Sequence, residues 1–273
     1  MARQRPIGVF DSGLGGLSVG HAIRELLPNE DLAYFADLKY SPYGPKSQEV
    51  IAARSRSVVD FLVDQGCKLI VVACNTATVN SIATLRSNCS IPLVGVEPGV
   101  KPAAIQSKRG VIGILATEQA LKSHSYQQLK AIHSKEVRVE EKACPDFVSL
   151  VEELNHESEA ATSTAERYIL PMLAAGCDQI VLGCTHFSFL KPAITKVIDD
   201  KAELVDTAQA VAKEVRRRLS QLDMLNADGS EGAIKFWTNG DSASASKSIA
   251  KLWQQHVTVL QADAKCTQDT TVV

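Results

Sequence analysis

No run in this 273-residue sequence approaches the ~18 consecutive apolar residues that a membrane span requires, so a membrane-embedded chain is disfavoured. An excess of positive charge is lacking too: a formal net charge of −2 offers no basic field to a nucleic acid. The opening "MARQRPIGVF" passes from a short basic stretch into a strand-like segment without the cleavage pattern of an export signal. Seven cysteines, an odd and scattered set, do not make a disulfide scaffold. Without export they are expected to be reduced thiols in a cytoplasm, free for chemistry. A phosphate loop is also missing. "FDSGLGGLS" has no Gly-Lys-Ser/Thr, Ser18 stands where the third glycine of G-x-G-x-x-G belongs, and Asp11 would repel a phosphate.

What is present is an alternation of short apolar runs with helix-like stretches, which predicts α/β architecture with mostly parallel sheets. "PIGVF", "DLAYFAD", "KLIVVA" and "IPLVGV" read as strands. Helices are expected over Leu17–Leu27, over "SQEVIAARSRSVVDFLVDQ" with Gly66 as its stop, and over "NTATVNSIATLRSN". The pattern then restarts. "GVIGILAT", "EVRVEEKA", "CDQIVLG" and "AELVD" read as strands, and "EQALKSHSYQQLKAI" and "STAERYILPMLAAG" as helices. "TAQAVAKEVRRRLSQL" predicts a helix, "AIKFWTNG" a strand and "SASKSIAKLWQQH" a helix, and the tail "ADAKCTQDTTVV" is expected to be disordered. The expected organisation is two pseudo-symmetric doubly wound domains with the active site in the cleft between them. Residues 1–98 plus 208–273 form the first, discontinuous domain and 99–207 the second.

The restart has a chemical signature. "GCKLIVVACNTAT" and "GCDQIVLGCTHFS" place Cys74 and Cys184 at matching strand ends with a constant offset of 110, the mark of an internal duplication. Cys67 and Cys177, at the strand starts, fit a small buried hydrophobe. Cys74 and Cys184 stand where open α/β sheets place ligands. A metal site is one reading of them. Cys67 and Cys74 lie roughly 23 Å apart along an extended strand and cannot share an ion, although Cys74, Cys184 and His186 could meet in space. A Cys–His hydrolase is another, but it leaves Cys74 without a role. A two-lobed amino-acid-binding protein needs neither thiol. Racemisation by two bases uses both, one on each face of the substrate, and the helix or turn that follows each cysteine favours its thiolate. Asn75, Thr76, Thr185 and His186 supply donors for a substrate carboxylate.

The motifs "GVFDSGLGGLSV", "SPYGPKS", "ACNTAT", "GVEPGVKPA", "VLGCTHFSFLKPAI" and "VDTA" resemble the glutamate racemases of the cofactor-independent aspartate/glutamate racemase superfamily. "FWTNGD" extends the likeness to about residue 240. The resemblance implies a cytoplasmic isomerase, commonly a homodimer, that interconverts L- and D-glutamate for peptidoglycan synthesis without pyridoxal phosphate or metal. It implies that Cys74 handles the proton of the D-enantiomer and Cys184 that of the L-enantiomer. Asp11 and His186 then assist the two thiols, with Asp37 and Glu152 as further carboxylates. Asp11, Ser12, Tyr43, Gly44, Asn75, Thr76, Thr117, Thr185 and His186 match substrate-contacting positions. An aspartate racemase of the same superfamily is the alternative, because one methylene is worth only ~1–3 kcal/mol in a pocket. The chain departs from the usual family wording at Asp146, Ser149 and Phe187–Phe189.

Overall fold

The computed structural model describes residues 2–133 and 135–262, so the expectation for the tail, from residue 263, lies outside the described residues. β1 (Ile7–Asp11), α1 (Leu17–Leu26), β2 (Leu32–Ala36), α2 (Gln48–Asp64), β3 (Leu69–Val72), α3 (Asn75–Asn88), β4 (Leu93–Gly95) and α4 (Val100–Gln106) come first. They are followed by β5 (Val111–Ala116), α5 (Glu118–Lys122), α6 (His124–His133), β6 (Arg138–Ala143), α7 (Pro145–Glu152), α8 (Glu159–Ala174), β7 (Gln179–Gly183), α9 (Lys191–Ile198) and β8 (Glu203–Val205). α10 (Ala208–Gln221), β9 (Ile234–Thr238), α11 (Ser242–Trp253) and β10 (Val259–Gln261) complete the described chain.

Local chemistry explains these boundaries. Every residue of β1, β2, β3 and β7 is buried, as expected of parallel strands covered by helices on both faces. The Ser47 hydroxyl caps α2 by accepting the Val50 N–H. The chain leaves that helix at Gly66 with φ +80°, and it leaves α8 at Gly176, 110 residues on, with φ +95°. A side chain at either place would be strained, so the duplicated Gly-Cys pairs begin as duplicated helix stops. One expected helix is broken in two. Ser123 is extended (φ −64°, ψ 142°) and ends α5, while its hydroxyl accepts the Tyr126 N–H at 3.2 Å and opens α6.

Two parallel sheets result, with strand orders β10-β9-β2-β1-β3-β4 and β6-β5-β7-β8. Ile7 sits between Leu32 and Leu69 in the first, and Ile112 between Val139 and Gln179 in the second. The order 2-1-3-4 is repeated as 6-5-7-8, which is the duplication expressed as topology. In each sheet the winding reverses between the first and third strands of the repeat, and ligands bind beyond the carboxyl ends at such a switch. Asp11 and Cys74 flank one switch point, Thr117 and Cys184 the other. Leu14 and Leu17, beside the first sheet, share an apolar cluster with Phe147 and Phe187, beside the second, so the core runs on from one sheet to the other. No helix among the described residues is long and apolar enough to cross a membrane.

Candidate active site

Both cysteines stand at helix starts. Cys74 follows β3 as the N-cap of α3, and its sulfur accepts the Ala77 N–H at 3.4 Å. Cys184 follows β7 and precedes a 3-10 helix over Thr185–Leu190. The two thiols line one cavity of about 230 Å³ together with Ser12, Tyr43, Gly44, Thr76, Thr117 and His186. Pro145, Val148 and Ser149 of the α7 segment form more of its wall, a contribution the sequence reading passed over. The signal available was the apolar run before Glu152 that follows a strand end.

Each thiol has its own partners. The Ser12 hydroxyl lies 3.4 Å from the Cys74 sulfur. Asp11, fully buried, accepts the Gly13 N–H at 2.8 Å and the Thr185 hydroxyl at 3.1 Å. Burial raises the pKa of Asp11 above its ordinary range and Glu152 adds to the rise, against the opposing pull of His186, Gly13 and Thr185. Burial, then the charge of Asp11, pushes the Cys74 thiol up to about 12, so this thiol rests in its proton-bearing form.

On the other side the Cys184 sulfur lies 3.6 Å from His186 Nδ1, and His186 Nε2 lies 2.6 Å from Glu152 Oε1. Burial alone would lower the pKa of the imidazole. The hydrogen bonds and charges of Cys184 and Glu152 overcome it and hold His186 well above its ordinary value. Burial likewise works against the Glu152 carboxylate, but His186 and the Leu14 N–H bring it below the usual range. The site is therefore electrostatically lopsided, with a proton-bearing thiol at Cys74 and an ion pair behind Cys184.

The contacts between the strand ends of the two sheets have the same pseudo-symmetry. Thr76, two residues past the first thiol, meets Thr117 at the end of β5, oxygen to oxygen at 2.9 Å. Thr185, directly after the second thiol, donates to Asp11 at the end of β1. The glycine-rich turn has its explanation here. A Cβ at Gly13 would fall 2.2 Å from Glu152 Oε1, and one at Gly15 would fall 2.4 Å from His186 Nδ1. Those glycines let the backbone of this turn approach the Glu152–His186 pair closely.

Asn75 is buried outside the cavity wall, and its Nδ2 has no hydrogen-bond partner within the described protein. Asp37 is placed differently from the other carboxylates. It stands behind Tyr43, whose hydroxyl donates to it, in a fully buried pair with Arg54 at 2.9 Å and a bond from Asn239. Like Asp11 and Glu152, it does not itself line the cavity. Among the described residues no group of three or more His, Cys, Asp or Glu side chains converges as metal ligands would.

The sequence model of the Asp/Glu/Hydantoin racemase family matches residues 7–215. A glutamate racemase of Herpetosiphon aurantiacus is 45% identical over 245 residues, covering 90% of this chain and 96% of that protein. A crystal structure of a glutamate racemase isoform from Bacillus anthracis superimposes with TM-score 0.87 at 30% identity, covering 96% of this chain and 99% of that one. The glutamate racemase of Francisella tularensis in complex with D-glutamate gives TM-score 0.83 at 26% identity, covering 96% and 98%.

Proposed function

The chain belongs to the Asp/Glu/Hydantoin racemase family and is an isomerase acting on glutamate, and we propose that it inverts Cα with two thiols, Cys74 and Cys184, one on each face of the substrate. One observation carries this reading: two pseudo-equivalent strand ends present their sulfurs to the same cavity, Cys74 beside the Ser12 hydroxyl and Cys184 beside the His186 imidazole. From L-glutamate, Cys184 as thiolate takes the α-proton while Cys74 as thiol delivers its own to the opposite face. From D-glutamate the roles reverse. One thiolate is consumed and one is formed in each turnover, so charge balances without a cofactor.

The partners divide the work. The raised Cys74 thiol suits delivery of a proton, with the buried Asp11 as its neighbouring carboxylate. A protonated His186, held by Glu152, supplies the cation that stabilises a thiolate on Cys184. The hydroxyls of Ser12, Thr76 and Thr117 and the backbone N–H groups after each cysteine are donors for the substrate carboxylates. Tyr43 and Gly44 close the cavity from the loop before α2, with Asp37 holding Tyr43 in place. We further propose lobes of residues 1–98 with 208–273 and of 99–207. The resemblance also supports a homodimer in a reducing cytoplasm that supplies D-glutamate for peptidoglycan.

The test is incubation of the purified protein in D₂O with L-glutamate and, separately, D-glutamate, with no cofactor added. Loss of optical rotation from both sides with deuterium entering Cα is expected. No rotation change and no exchange, with aspartate equally inert, would overturn the reading.

A further inference from the structure

Tyr34 lies on β2, wholly buried, with its ring 5.9 Å from that of Phe236, and it takes no part in lining the cavity. Its hydroxyl donates to the carbonyl oxygen of Gly13 at 3.0 Å. The N–H of Leu14 donates to Glu152 Oε1, also at 3.0 Å. That carbonyl and that N–H are the two ends of one planar peptide unit. A single peptide plane is thus gripped from opposite sides, by a tyrosine of the first lobe and by a carboxylate of the second. Glu152 Oε1 also faces His186 Nε2, and His186 Nδ1 faces the Cys184 sulfur. An unbroken chain of polar contacts leads from Tyr34 to that thiol.

The grip answers a weakness of the turn. Rotating this peptide plane requires only that ψ of Gly13 and φ of Leu14 swing, and glycine leaves that motion nearly unrestricted. A flipped plane would aim a carbonyl at Glu152 and replace an attraction with a repulsion. The Tyr34 hydroxyl opposes the flip, because it would itself be left buried without an acceptor. Its donation into the carbonyl also polarises the peptide and strengthens the N–H that Glu152 receives.

We propose that Tyr34 is a positioning residue for the Cys184 half of the reaction, acting through the Gly13–Leu14 peptide on the Glu152–His186 pair. This rests on the two-thiol reading above. No described hydrogen bond ties Tyr34 to Ser12 or to the Cys74 sulfur, and its one route to that side is the Gly13 N–H that donates to Asp11, so the larger effect falls on the Cys184 side.

Racemisation restricts how an uneven defect can show. The enantiomers are equally stable in water, so kcat/KM must be the same from L- and D-glutamate in every variant. What changes is which proton transfer limits the rate. Weaker support for Cys184 raises the barrier at the L-face more than at the D-face. With substrate deuterated at Cα, the isotope effect on kcat/KM then grows from the L side and shrinks from the D side.

The experiment uses the full chain carrying Tyr34→Phe, which keeps the ring and removes one oxygen, with Phe236→Leu as a packing control. Tyr34→Phe is expected to lower kcat/KM about 10-fold in both directions, since general acid–base support is worth ~10²–10⁴-fold and only its alignment is disturbed. The L-side isotope effect rises, the D-side effect falls, and Phe236→Leu keeps the parent pattern. Tyr34→Phe with parent isotope effects, or with the D-side effect raised instead, overturns the proposal. Cys184→Ala in parallel separates the two levels. If it is inactive while Tyr34→Phe keeps the parent pattern, only the positioning role fails; if it racemises at the parent rate, the two-thiol reading fails first.

Discussion

Glu152 and His186 lie 34 positions apart in the chain, yet their side chains meet at 2.6 Å directly behind a cavity thiol. Each shifts the other, His186 upward from 6.5 and Glu152 downward from 4.5. The signs define a window. A raised histidine contributes stability that is complete below 6.5 and is lost as pH rises through its folded value. A lowered glutamate contributes stability that is complete above 4.5 and is lost as pH falls through its folded value. The pair is therefore most stabilising between about pH 4.5 and 6.5. Urea unfolding of the parent and of Glu152→Gln across pH should differ most in that interval and converge on both sides of it. A difference that keeps growing above pH 8 would contradict the pairing.

Removing either thiol should lower racemisation by at least ~10³-fold, because each proton transfer then lacks its acid or base. An analogue with a leaving group on Cβ separates the halves, since abstraction alone releases the group. Cys74→Ala should still eliminate from the L-analogue and Cys184→Ala from the D-analogue, followed by release of the leaving group. Parent-rate racemisation by either variant would sink the two-base account.

Gly15→Ala should lower activity about 10²-fold, the scale of a 1 Å misplacement of catalytic groups. The new Cβ would lie 2.4 Å from His186 Nδ1 and 2.6 Å from its backbone nitrogen, so the seam has to open. Circular dichroism should remain that of the parent, which distinguishes a displaced imidazole from an unfolded lobe.

Asp37→Ala should cost about 3–5 kcal/mol of stability, the penalty for leaving a buried partner charge uncompensated. Arg54 and Asp37 are both wholly buried, and the Tyr43 hydroxyl and the Asn239 amide also bond to Asp37. Denaturant titration measures the loss. A neutral effect would mean that the pair is not what holds the loop before α2.

The order of strands and helices was legible because apolar periodicity is local, and the Cys74–Cys184 offset carried the switch-point positions with it. What stayed hidden depends on contacts between distant segments. Asp11 and Asp37 both follow strand-like runs, and nothing near them in the chain says that one bonds to Thr185 beside the second thiol while the other pairs with Arg54. β9 decides it, because pairing Ala36 with Thr238 brings Asn239 to Asp37 from about 200 positions away. Glu152 stands in a run of polar helix residues, and only the Leu14 N–H, from a distant segment, marks it as held inside. Tyr34 looked like one more apolar strand residue, because nothing in the alternation of β2 reveals where a hydroxyl ends. The break at Ser123 was missed because serine is tolerated inside helices, and its role as a cap depends on the turn around it.

The return of β9 to the first sheet has a consequence for how the molecule is made. As the chain leaves the ribosome, β1 to β4 emerge early, but β2 has no neighbour on its outer side until Ile234–Thr238 has been synthesised. The four strands of the second sheet, all between Val111 and Val205, have every partner before then. Completion therefore runs against coding order, with the later sheet closing first and the earlier one waiting with an adhesive edge. A message cut short before Ile234 would yield a product that carries both thiols and an unsealed sheet.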